Sequence, residues 1–233
     1  MRVRRLLAAL LTTGLIAPAA AVVATAAPAA AATATQIVSG SEDRPWFHVN
    51  DYSSIPGAPV YKRDSISLSI NVADANGQQV YDGDITVQRQ LQGKDAWTTV
   101  ARSNPGDAYL YETLDIVGSA TYRVLYAGNA TYAPSSAQAA TKAQRDLEIT
   151  GISGRKTGFE GKLSPKAKVK ILVAKKVGKT WKKYRTAASD AQGRFRVVLP
   201  APGRSGTKFH WKITFRGSKG FVASTVKGTT YRY

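Results

Sequence analysis

The chain has no cysteine, one methionine and two histidines in 233 residues, and only 15 Asp+Glu against 33 Lys+Arg. Without cysteine there can be no disulfide, no thiol nucleophile and no thiolate zinc site. With only His48 and His210, no pair of histidines stands at metal-ligand spacing. No Gly-x-Ser-x-Gly elbow, phosphate loop or dinucleotide fingerprint occurs. No catalytic, cofactor-binding or metal-binding residue is expected, and no cofactor. Helical periodicity is missing too: beyond the N-terminal stretch, no window of about 11 residues repeats at 3.6.

The few carboxylates that are present read as turn residues. Asp82 and Asp84 flank Gly83 at a strand start. Asp74-Ala75-Asn76-Gly77 lacks the later ligands of a calcium loop and predicts a type I′ hairpin turn at Asn76-Gly77; Asp190-Ala191-Gln192-Gly193 predicts a turn of the same kind. His48 lies between Asp43 and Asp51 in a segment that reads as irregular. A hydrolase would require those three side chains to converge.

What is present is strand signal and positive charge. Residues 1–32 read as an export signal. Arg2, Arg4 and Arg5 precede an apolar run, and Ala-rich small-x-small sites follow, placing cleavage between residues 26 and 34. Pro18, Pro28 and the preference for Ala over Leu argue against an uncleaved anchor. The mature chain is therefore expected to carry no transmembrane span and to be extracellular, in association with the cell envelope.

Beyond it, residues 65–72 alternate strictly between polar and apolar, the signature of a half-buried strand. Residues 85–89, 96–100, 109–114 and 121–126 complete a strand set. The second half repeats it: 169–173 match 85–89, the Gly178–Trp181 turn matches Gly93–Trp97, and Trp211 matches Tyr122. The offset is 84 residues at Trp97/Trp181 and 89 at Tyr122/Trp211. A duplicated all-β sandwich follows, with modules at 33–142 and 146–233.

Gly93, Trp97, Tyr122, Arg123, Val124, Tyr126, Gly128, Asn129, Tyr132 and Ser135 form a pattern that resembles the tandem bacterial Ig-like repeats of secreted and cell-envelope proteins, of actinobacterial type. The resemblance covers most of residues 60–230. It implies two tandem antiparallel Ig-like β-sandwiches and says little about function, because such repeats serve adhesion, spacing and enzyme support alike.

The aromatics at matching repeat positions (Trp97, Trp181, Tyr122, Trp211, Tyr126 and Phe215) are expected in the inter-sheet core, with Tyr122 in the role of a corner tyrosine. Trp46, Phe47 and Tyr52 form the candidate partner or glycan contact of the first module.

The charge is uneven. Residues 146–233 carry 21 Lys+Arg against 4 Asp+Glu, a net of +17, whereas residues 33–145 carry 9 against 11. Edge protection takes only one or two charges, so this excess points to an anionic partner. Alternation places Lys208, His210, Lys212 and Arg216 opposite Phe209, Trp211, Ile213 and Phe215, hence outward. The same reasoning turns Lys166, Lys168, Lys170, Arg194 and Arg196 outward, and the candidate Lys182 belongs to one hairpin crowded by Lys175, Lys176, Lys179, Lys183 and Arg185. The expected partner is an anionic cell-wall polymer or other polyanion. Lys outnumbers Arg 14 to 7 in this half, which disfavours sequence-specific nucleic-acid reading. The alternative expectation is an accessory or inhibitory module that binds a secreted enzyme or other protein. Leu199-Pro200-Ala201-Pro202-Gly203 differs from a wall-sorting pentapeptide and reads as a loop.

Overall fold

The computed structural model describes residues 32–53, 56–152, 157–199 and 204–231. Residues 1–31 of the expected signal and 200–203 of the Pro-rich loop lie outside the described residues. Among the described residues all regular structure is β, and no helix is long and apolar enough to cross a membrane.

The first sandwich pairs two sheets. One holds β1 (Thr35–Ser39), β2 (Phe47–Asn50), β3 (Ser65–Asp74), β4 (Gln79–Val80) and β7 (Tyr109–Asp115), with β3 at its centre. The other holds β5 (Ile85–Leu91), β6 (Thr98–Arg102), β8 (Ala120–Tyr126) and β9 (Ser135–Thr141) in the order β6-β5-β8-β9. The second sandwich repeats the arrangement. Its three-stranded sheet runs β10 (Asp146–Gly151), β11 (Gly158–Ser164), β14 (Arg194–Val198). Its four-stranded sheet runs β13-β12-β15-β16, comprising β12 (Lys170–Val177), β13 (Thr180–Ala188), β15 (Lys208–Phe215) and β16 (Ser224–Tyr231). The strand pairs are antiparallel throughout. This is the tandem Ig-like architecture that the alternation and the internal repeat predict.

Period-2 patterning dictates the packing. In β3 every second side chain is buried, Ile66, Leu68, Ile70 and Val72, because successive side chains of a strand point to opposite faces. These meet Val87, Tyr122, Val124 and Tyr126 in one core. The second core joins Leu163, Phe195 and Val197 to Ile171, Val173, Trp211, Ile213 and Phe215. Ring pairs Phe159–Trp211 and Phe195–Phe215, each 5.0 Å between centroids, lock its two sheets together.

The duplication extends to irregularities. The β5–β6 ladder is bulged at Val87/Gln88 and the β12–β13 ladder at Val173/Ala174. Gly128 and Gly217 leave the equivalent strands β8 and β15. A Cβ at either would stand 2.7 Å from the Tyr132 carbonyl oxygen or 2.6 Å from that of Phe221.

Two sequence expectations change. Asn76-Gly77 is not a type I′ turn, which needs positive φ at both central residues; only Gly77 adopts one, 80°. The turn is instead closed by Gly77 N–H to Asp74 C=O, with the Asp74 carboxylate accepting from the Asn76 and Gln78 N–H groups. Asp190 caps its own turn in the same way, accepting from Gln192 and Arg194. Tyr122 is no corner tyrosine: its buried hydroxyl has no hydrogen-bond partner. Tyr126 is the tethered phenol, donating to Asp82 C=O at 2.7 Å.

Ala32–Tyr233 forms one compact unit, and the contacts joining its sandwiches are specific. Phe221, from the β15–β16 turn, packs on the core of the first sandwich and lies edge-on to Tyr61 at 6.0 Å. Val222 N–H donates to Ala143 C=O, and Ser119 N–H to Gly220 C=O, both at 2.8 Å. Arg63 pairs with Asp146 at 2.7 Å.

Candidate functional site

The four-stranded sheet of the second sandwich carries nine Lys and Arg residues and no carboxylate. Of the four acids after residue 145, Asp146, Glu148 and Glu160 lie on the opposing sheet and Asp190 caps a turn. The second sandwich therefore keeps its acids off this sheet.

Register sorts the side chains of this sheet. Lys183, Ala174, Lys212 and Lys227 are directly opposite one another in turn across β13, β12, β15 and β16. Neighbouring strands lie about 4.8 Å apart, so this row sets three lysines at short spacing on the outer face. Lys212 and Lys227 form a like-charge cross-strand pair, which costs stability unless something anionic relieves it. Beside the row, Lys176, Trp181, His210, Lys227 and Thr229 line one shallow groove. His210 Nδ1 lies 2.8 Å from Thr229 Oγ1.

Trp181 is half-buried, not part of the core. The Lys212 ammonium sits 5.2 Å from its ring centroid. The first sandwich shows the same pair: Trp97 is half-buried beneath the Arg123 guanidinium at 4.2 Å. Both tryptophans were expected inside; each instead lies on the outer face and pins a cation there. The reason is position. Trp181 stands on the outward parity at the hairpin end of β13, opposite Lys176, and Trp97 lies in the segment just before β6.

The ten candidate polyanion residues divide into groups. Lys208, His210 and Lys212 project from the outer face of β15, beside the row just described. Lys170 and Arg216 stand at the far end of that face, where Arg216 N–H donates to Lys170 C=O; Lys166 and Lys168, both exposed, precede Lys170. A neutral belt of Thr186, Leu172, Thr214 and Thr225 separates the two ends. Lys182 lies opposite Lys175, and Lys175 opposite Trp211. That register puts Lys182 on the core-facing parity, at the open end of the sandwich. Lys183 takes the outer position because of the bulge at Val173/Ala174.

Arg194 and Arg196 do turn outward, but from β14 on the opposing sheet. There they stand opposite Lys162 and Glu160, and Lys162 stands opposite Glu148. Among the described residues, none of the ten makes an ion pair. Sequence reasoning read Lys176 and Lys183 only as part of a crowded hairpin and missed Lys227; alternation of Val226-Lys227-Gly228 along β16 was the available signal.

In the first sandwich, Trp46 and Phe47 are packed on the core, edge-to-face with each other at 5.6 Å, and Phe47 leans on Tyr122 at 5.1 Å. Tyr52 is 73% exposed. His48 lies in β2, a strand where an irregular segment was expected. It lines a groove with Arg44, Tyr111 and Glu112, without Asp43 or Asp51. The convergence that a hydrolase requires is not formed there. Among the described residues no group of three His, Asp or Glu side chains gathers at metal distance.

No family model and no curated protein matches the chain. Solved structures similar to it include the chicken interferon gamma receptor alpha chain, at 10% identity over 80% of this chain and 96% of that one, with a TM-score of 0.43. A tetra-tandem repeat from the extending region of a large adhesion protein is similar at 10% identity over 85% of this chain and 50% of that one, with a TM-score of 0.36. The fold assignment rests on the strand topology described above.

Proposed function

We propose that this chain is a non-enzymatic binding protein of the cell exterior, retained on anionic polymers by the outer face of the β13-β12-β15-β16 sheet. In this reading residues 1–32 are a cleaved export signal, 33–142 a near-neutral module and 146–233 the cationic one. The carboxylate-free sheet with its Lys183–Lys212–Lys227 row is the observation that carries the proposal. Fixed like charges on a rigid sheet are relieved by an anion, and each neutralised phosphate or carboxylate releases counterions. Lysines present point charges without the bidentate fork that reads bases, so an anionic cell-wall polymer fits better than a specific nucleic-acid sequence. The test is retention of the purified chain on cell wall or a polyphosphate matrix. We expect tight retention at low salt and release as salt rises; indifference to salt, or no retention, would sink the proposal.

A second reading gives the first sandwich a protein partner, such as a secreted enzyme. It is favoured by the tyrosines it leaves exposed: Tyr52 at 73%, Tyr81 at 65% and Tyr111 at 57%. Tyrosine is enriched at protein interfaces. Stoichiometric capture of one protein from culture fluid at moderate salt would favour it.

A further inference from the structure

Where the two sandwiches meet, a groove is lined by Arg145, Lys166, Lys168 and Lys219 together with Ser218 and Phe221, and by no acidic residue. Arg145 is only 6% exposed. Its guanidinium donates to the Pro165 and Ser218 carbonyls, and it stacks on Phe221 at 4.3 Å. Its Nε has no partner, and among the described residues it makes no ion pair. Burial pulls its proton affinity below the ordinary guanidinium value, though an arginine stays charged. A buried cation with neutral partners only is costly, and here three exposed lysines add to the repulsion. Lys219 also holds φ at 48°, a left-handed conformation that a side-chain-bearing residue adopts at a cost.

We propose that this groove is a binding site for a phosphate group, which compensates Arg145, Lys166, Lys168 and Lys219 together. A multiply charged tetrahedral oxyanion suits several converging cations better than a single carboxylate does. The four residues come from three segments: the connection between the sandwiches, the β11–β12 loop and the β15–β16 turn. The same turn seats Phe221 on the first core. The bound anion therefore clasps the junction, and binding stabilises the fold by mass action.

The experiment follows thermal unfolding of the purified chain in inorganic phosphate and in chloride at matched ionic strength. The site predicts a saturable rise in unfolding temperature with phosphate alone. The triple variant Lys166→Ala, Lys168→Ala, Lys219→Gly should lose that rise while unfolding near the parent temperature in chloride, since all three side chains are exposed and glycine relieves the strained φ. Equal effects of the two salts, or an undiminished rise in the variant, would overturn the site. A short polyglycerol-phosphate oligomer distinguishes the source: tighter binding than free phosphate marks a polymer-borne group, and equal binding marks the free ion. Failure here would leave the outer-face reading standing, because that reading rests on Lys183, Lys212 and Lys227.

Discussion

The two sandwiches set equivalent rows of side chains on equivalent sheets. In the first, the row across β6, β5, β8 and β9 reads Thr99, Gln88, Arg123, Gln138. In the second it reads Lys183, Ala174, Lys212, Lys227. The bulge, the exit glycine and the tryptophan under a central cation occur in both. Arg123 donates to Gln88 at 2.8 Å, so the first row is internally hydrogen-bonded, while the second is three lysines around an alanine. Scaffold and charge are thus separable: apolar or aromatic side chains at matching inward positions build both cores, while the equivalent outer rows differ in charge.

The sharpest contrast is between faces. Trp211→Ala empties the second core and should cost about 3–5 kcal/mol, measured as a fall in the denaturant midpoint. Trp181→Ala removes a half-buried ring and one cation–π pair and should cost only about 1 kcal/mol. Equal costs would contradict the inner and outer assignment.

Exchanging the rows comes next. Thr99→Lys with Gln138→Lys in the first sandwich adds two outward charges beside Arg123. It should strengthen retention on a polyphosphate matrix and steepen its log–log salt dependence by about 2. The fold should be unaffected within about 0.5 kcal/mol, because both positions face solvent.

The smallest effect uses alkali. Burial pushes the Tyr122 and Tyr126 phenols above their ordinary value, offset at Tyr122 by the Arg89 charge and reinforced at Tyr126 by Tyr132 and Asp82. The unfolded chain releases these protons first, so their contribution is intact below about pH 10 and is lost as pH rises beyond it. Trp211 and Phe215 hold the same positions in the second sandwich and do not titrate. Between pH 8 and pH 11 the denaturant midpoint should therefore fall further for the parent than for a Tyr122→Phe, Tyr126→Phe variant.

Much of this was legible in the sequence. Strict alternation located β3 and β15 and turned Lys208, His210 and Lys212 outward, because a strand's period leaves no other choice once one face is greasy. The duplication was legible through Trp97/Trp181 and Tyr122/Trp211. Three features were not. A bulge inserts one residue and reverses parity, so Lys182 and Lys183 exchange faces without any local mark. Outwardness does not say from which sheet, so Arg194 and Arg196 were grouped with lysines that face the other way. Phe221 aligns with Tyr132, and both pack on the first core; that Phe221 does so across the junction depends on the tertiary fold.

The central claim is that one face of the second sandwich binds the polyanion. Its most direct test compares two double variants by the salt dependence of retention on polyphosphate. Lys183→Thr with Lys227→Gln removes two charges from the β13-β12-β15-β16 face; Arg194→Ala with Arg196→Ala removes two from the opposing sheet. We predict that the log–log slope drops by about 2 for the first pair and stays near the parent value for the second. Equal drops would mean that net charge alone, and not this face, holds the polymer.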